Sequence, residues 1–256
     1  MDSAVAGIAA LLGLIFGSFI NVVAYRIPAG MSVVSPPSAC PECNTPIRPR
    51  DNIPVLSWFL LRGRCRDCGT RISMRYPIVE VATAVLFAAT VLVIGVEPAL
   101  PAYLWFAGVT LVLVLTDLDV KRIPNRILYP STVVGAILLF GGAALDDSIG
   151  SFWRAALGAA VYFLLFLLLA LIARGGFGFG DVKLAFFLGL FLTYQSWEVL
   201  GAGVALGIGI GGVVAILLLL GGKATRKAKI PFGPAMVFGA YAALVVGQEL
   251  ADWYLG

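Results

Sequence analysis

Eight apolar runs follow one another along this chain, at residues 4–25, 78–96, 98–116, 127–145, 155–173, 182–197, 199–222 and 230–248. A helix needs about 20 apolar residues to cross the hydrocarbon core of a bilayer, and most of the runs approach that length. Backbone groups in lipid must be satisfied within the segment or in a closed barrel, and runs this long fit helices better than barrel strands. With 60% of residues hydrophobic and 12% charged, an ordinary soluble domain is excluded. The expected fold is an all-α polytopic membrane protein of about eight transmembrane helices. The sixth run is short unless Asp181 opens its helix. The first passes directly into a basic loop with no cleavage signal, so it reads as a retained helix.

Basic residues orient the bundle. Of the eighteen lysines and arginines, all but Arg154 fall in the odd-numbered connections between runs. Eight lie between positions 26 and 75; Lys121, Arg122 and Arg126 form a second group, Arg174 and Lys183 a third, and Lys223, Arg226, Lys227 and Lys229 a fourth. The even-numbered connections and the tails carry Asp2, Glu97, Asp146, Asp147, Glu198, Glu249 and Asp252. The positive-inside rule makes the basic face cytoplasmic and puts both termini outside. A net charge of +4 then reports topology and contact with anionic membrane lipid, and no nucleic-acid partner is expected.

The connection at 26–76 is the one sizeable polar piece, and it holds all four cysteines. They come as CPEC (Cys40, Cys43) and CRDC (Cys65, Cys68), two CxxC pairs separated by 21 residues. This is the knuckle spacing of a four-thiolate tetrahedral zinc site, each pair wrapping one side of the ion, with Arg64 and Arg66 placed to favour thiolates. Two disulfides are the alternative, which a reducing cytosolic face disfavours; an iron–sulfur cluster stands further back. A closed Cys₄ site has no open coordination position, so its expected work is to fold a loop of about 50 residues too small for its own core.

Carboxylates supply the chemistry. The stretch LVLVLTDLDVKRIPNRIL leaves Asp117 and Asp119 at the end of the third run, and GGFGFGDVKLAFFLG puts Asp181 at the start of the sixth. By the loop count both lie at the cytoplasmic edge, where two acids on separate helices can meet, share a proton and act as an aspartic protease dyad. Glycines before Asp181 let the backbone bend and a substrate chain approach. The chain has no histidine and no serine elbow, which leaves carboxylates, lysine or tyrosine for acid–base work. Other readings stay open at this point. Asp181 can serve as N-cap of the sixth helix, and Asp117 can pair with Lys121 four residues on. The acids of a transporter's proton relay usually lie nearer the midplane, and a zinc-bearing membrane scaffold would leave them idle. Asp119, two residues past Asp117, points away from the dyad face and is expected to be solvated or supportive. In GVALGIGIGG, Gly203, Gly207 and Gly211 recur every four residues, a small-residue packing face.

Taken in order, these motifs resemble the bacterial type IV prepilin peptidases, membrane aspartic proteases of the GxGD kind. GSFINVVAYRIP (17–28) is similar to the family's first-helix signature, CPEC and CRDC to its zinc loop, and CGTRISMRYPIVE (68–80) to its return into the membrane. DLDVKRIPN (117–125) is similar to the first aspartate motif and GFGDVKL (178–184) to the second; Asn125 stands where many members have Asp. The resemblance implies Asp117 and Asp181 as the catalytic pair, with Asp119, Gly178, Gly180 and Lys183 supporting them. It implies cleavage of the short basic leader from prepilins and pseudopilins, whose mature parts begin with an apolar helix, at the bacterial cytoplasmic membrane. It also implies N-methylation of the new terminus by S-adenosylmethionine, for which the chain shows no nucleotide-binding fingerprint of its own. The corresponding division is a first transmembrane helix (1–25), a Cys₄ zinc loop assigned to methylation (26–76) and a seven-helix peptidase domain (77–256).

Overall fold

A computed structural model describes residues 2–172, 178–221 and 231–255. Arg174, Gly175, Gly176, Lys223, Arg226, Lys227, Lys229 and position 230, where the last run begins, lie outside the described residues. The chain divides into two compact units, Met1–Val96 and Glu97–Gly256.

In the first unit α1 (Asp2–Arg26) packs against α3 (Arg75–Ile94), with the short helix α2 (Leu56–Leu60) between them in sequence. The two long helices touch backbone to backbone. A Cβ on Gly13 would lie 2.6 Å from Ala84 Cα, and one on Gly17 the same distance from Glu80 Cα. Small residues are what permit helices in lipid to approach this closely. Asn21 Nδ2 donates to the Tyr76 carbonyl at 3.3 Å, so the start of α3 is fixed to α1 by a polar contact as well. Glu80, buried on α3, accepts the Val55 amide at 2.6 Å and holds the turn that enters α2.

The second unit contains α4 (Leu100–Val120), α5 (Asn125–Leu145), α6 (Ile149–Ile172), α7 (Phe179–Gln195), α8 (Trp197–Leu220) and α9 (Gly233–Leu255). Local chemistry sets the ends that matter. Lys121 closes α4 in the left-handed region, at φ 51°, and its amide bonds to the Asp117 carbonyl at 2.9 Å. Pro124, which cannot continue a helix, then precedes α5.

The helical architecture expected from the sequence is present, and the described residues hold no regular strand, only two isolated bridges. Of the eight expected spans, six reach bilayer length and apolarity among the described residues: α1, α3, α4, α5, α6 and α8. α7 has 17 residues, about 26 Å of helix, and the shorter apolar part of α9 runs Gly233–Gly247. From Asp181 to Tyr194 nearly every α7 side chain is buried against α5, α6, α8 and α9, so α7 is an inner helix with little lipid to face.

An aromatic cluster joins α4, α7 and α9. Phe106 stacks on Phe187 with centroids 5.7 Å apart, meets Phe191 at 4.7 Å and Tyr241 at 5.6 Å. Such pairs contribute about 0.5–1.5 kcal/mol each beyond their burial. The Tyr241 and Thr110 hydroxyls, 2.7 Å apart, add a buried polar contact between α9 and α4. The small-residue face of α8 is a packing face, as its spacing suggested. Gly203 lies against Leu192 and Ala243, Gly207 against Met236, and Gly211 against Phe232. At the far end of α7, Arg154 on α6 donates to the carbonyls of Thr193, Tyr194 and Gln195 at 2.9, 2.6 and 2.9 Å. The one cation outside the basic face is a C-cap for a neighbouring helix.

Candidate active site and metal centre

Three helix ends converge around two carboxylates. Asp117 sits in the last turn of α4 and Asp181 in the first turn of α7, and only 5% and 8% of them, respectively, remain exposed. Between their helices sits the Ile123 side chain: a Cβ on Gly180 would be 3.3 Å from Ile123 Cβ. The third wall is the start of α9, where a Cβ on Gly233 would be 2.7 Å from Asp117 Oδ2 and 3.5 Å from Ile123 Cδ1.

The oxygens are used unequally. Asp181 Oδ2 accepts the Gly178 amide at 3.1 Å, while the Asp181 amide returns to the Gly178 carbonyl at 3.0 Å. Gly178 is therefore the residue that caps α7, and Asp181 stands three positions inside it. The reading of Asp181 as N-cap is corrected on this point: glycines carry no periodic signal that would reveal a helix beginning two residues earlier. Asp117 Oδ2 makes no hydrogen bond of good geometry, a state that among the buried side-chain atoms of the described residues only Thr193 Oγ1 shares, although the Gly233 backbone amide approaches the Asp117 carboxyl group. A buried carboxylate oxygen without a well-formed hydrogen bond is costly, and it faces a glycine whose missing side chain leaves room. Lys121 meets Asp117 through its backbone amide. Asp119 is exposed on the other side of the helix end.

Lys183 reaches away from Asp181. Its Nζ donates to Asn125 Oδ1 at 2.7 Å and lies 4.9 Å from the Phe179 ring centroid and 5.5 Å from that of Tyr129.

Matches to known proteins follow the same division of the chain. Residues 11–94 match the bacterial peptidase A24 N-terminal domain, and residues 104–220 match the type IV leader peptidase family. The chain belongs to the type IV leader peptidase family. A relative from Bacillus subtilis, named prepilin leader peptidase/N-methyltransferase, is 33% identical over 96% of this chain and 96% of its own length. Proteins of the same name from Stutzerimonas stutzeri and Pseudomonas aeruginosa are 31% and 32% identical, each over 96% of this chain, and over 92% and 91% of their own lengths. No solved structure matches. As expected for a member of this family with six bilayer-length apolar helices, the protein is integral to the membrane.

In the first unit of this peptidase-family chain the four cysteines gather into one cluster. All are free thiols, and their sulfurs lie within 4.8 Å of one another. Cys40 and Cys68 are 3.7 Å apart, Cys43 and Cys65 4.0 Å. A tetrahedral ion with metal–sulfur bonds of about 2.3 Å requires sulfur–sulfur edges of about 3.8 Å, so the cluster fits a four-thiolate metal. Each pair sits on a matching knuckle. The Cys40 amide bonds to Thr45 O and that of Cys65 to Thr70 O, and Asn44 and Gly69, just past each pair, take φ of 54° and 72°. Hydrogen bonds from the Thr45 side chain, then from its backbone, bring the Cys43 thiol down to about 6. Backbone amides of Cys68 and Asp67 lower Cys65 as well. The expectation that Arg66 would favour thiolates is not what its side chain does: it grips Asp51 with both Nε and a terminal nitrogen, at 2.6–3.1 Å. Arg48 pairs with Asp67 at 2.9 Å.

Sequence reasoning overlooked Gly233, Ile123 and the contact that Lys183 makes with Asn125. One signal was available: in PFGPAM, Gly233 stands between Phe232 and Pro234 at the opening of an apolar run, a place for a backbone that must be approached closely.

Proposed function

We propose that this chain is a membrane aspartic endopeptidase that removes the leader from prepilins and pseudopilins, with Asp117 and Asp181 as its catalytic pair. One observation carries the assignment: Asp117 and Asp181 are both buried at helix ends that converge on Ile123, with Gly233 closely packed against Asp117 Oδ2. Two such groups cannot both ionise, so they hold one proton between them across a water. The ionised carboxylate takes a proton from that water as its oxygen attacks the scissile carbonyl. The protonated one hydrogen-bonds to the carbonyl oxygen, where negative charge develops. As the tetrahedral intermediate collapses, the C–N bond breaks and the leaving amine takes a proton from the pair.

The metal is zinc, supported by four thiolates at tetrahedral spacing and no other donor type. It staples the knuckles together and takes no part in peptide cleavage. The charge distribution puts this loop, the ends of α4 and α7 and the substrate leader at the cytoplasmic face, with both termini outside. The apolar start of the mature pilin then lies in the membrane beside the dyad. Methylation of the new N-terminus by S-adenosylmethionine is extended to this chain from its relatives' name. Incubation of the purified protein in detergent with a prepilin tests the central reading: loss of the leader is expected, and an intact precursor with a folded enzyme would overturn it.

A further inference from the structure

The turn leaving α4 contacts α7 on both sides of Asp181. Ile123 packs under Gly180, one residue before the acid. Asn125, the first residue of α5, accepts from Lys183 Nζ, two residues after it. Since α4 carries Asp117 four residues before that turn begins its exit at Lys121, the same short segment is joined to one carboxylate and touches the helix of the other. Successive positions on a helix advance by about 100°, so residues two apart face nearly opposite ways. Lys183 therefore does not pair with Asp181; its bond to Asn125 pulls on the opposite face of the same turn. The reciprocal bonds between Gly178 and Asp181 close this turn on itself but tie it to no other helix.

We propose that Ile123 and Asn125 act as a two-point register for α7, with Lys183 the positioning residue through which Asn125 sets the rotation of the Asp181 carboxylate toward Asp117. The Phe179 and Tyr129 rings around Nζ keep the ammonium on its acceptor. This rests on the reading of Asp181 as catalytic. A misplacement of a reacting group by a fraction of an ångström to an ångström lowers turnover without altering substrate affinity.

The test uses the full-length protein in detergent with a prepilin, measuring kcat and KM separately. Lys183→Met and Asn125→Leu should each lower kcat about tenfold or more with KM within about twofold. The double variant should be no worse than either single, since both break one contact. Asn125→Asp keeps the acceptor and should retain most of kcat, which a role in mere packing would not predict. Should Lys183→Met fail to fold, the Leu and Asp variants of the exposed Asn125 carry the comparison alone. Unchanged kcat in both single variants, additive losses, or a rise in KM with kcat intact would overturn the register. Asp181→Asn separates this from the parent reading. If it still cleaves, Asp181 is not catalytic and the proposal falls with it; if it is inactive while the latch variants turn over normally, the register alone is wrong.

Discussion

Gly233 lies so close to Asp117 that a Cβ on it would stand 2.7 Å from Oδ2. That is inside any permitted carbon–oxygen contact, so Gly233→Ala must displace either the start of α9 or the carboxylate. Leader cleavage should fall by about a hundredfold or more, with little change in melting temperature, because the displaced group is at a helix end. Near-normal turnover by this variant would show that the space beside Oδ2 is not used.

If Asp117 and Asp181 act as one unit, neither amide can replace its acid. Asp117→Asn and Asp181→Asn should each abolish cleavage while leaving expression and metal content intact, and the double variant should be no worse. Asp119→Asn, altering an exposed residue, should keep measurable activity. Robust cleavage by either dyad variant would return these acids to structural roles.

The knuckle makes its own prediction. Elemental analysis should find about one zinc per chain, and Cys40→Ser or Cys65→Ser should lower that figure and loosen the loop. Acid should do the same in two ways. Arg66 holds Asp51 below its usual 3.8, so that ion pair is fully formed above this value and is lost as pH falls through the lowered one. The cysteine ligands must be thiolates to bind the metal, so protons compete with it for the four sulfurs as the pH falls. Metal release on acidification is therefore expected. Metal content unchanged by acid well below neutrality would contradict a four-thiolate site.

Topology is accessible to labelling. Cysteines introduced at Asp146 and at Arg122 should react from opposite sides of the membrane, with Arg122 cytoplasmic. Reaction from the same side would remove the orientation proposed for the leader.

Much of this architecture was legible because lipid demands long apolar runs, and a charge placed at the end of one stands out against them. Asp117, Asp181 and the two CxxC pairs are visible for that reason. The inner position of α7 was not. A helix apolar on every side carries no periodicity to show which neighbours surround it. Gly233 escaped because it is more than a hundred residues from Asp117 and contributes an absence of atoms. Arg154 looked like an exception to the charge rule, since its partners are backbone carbonyls, which leave no trace in a sequence.

Arg154 also bears on how the chain enters the membrane. Its acceptors lie 39 to 41 residues further along, so at synthesis the guanidinium emerges well before the carbonyls it will cap. Arg154 stands near the start of α6, just ahead of its apolar run, and gains its acceptors only when the end of α7 is in place. Each helix thus supplies what the other lacks, and the pair is suited to leave the translocon as one hairpin. The Asp181 carboxylate, at the opposite end of α7, is thereby set at its depth by capping contacts a whole helix away.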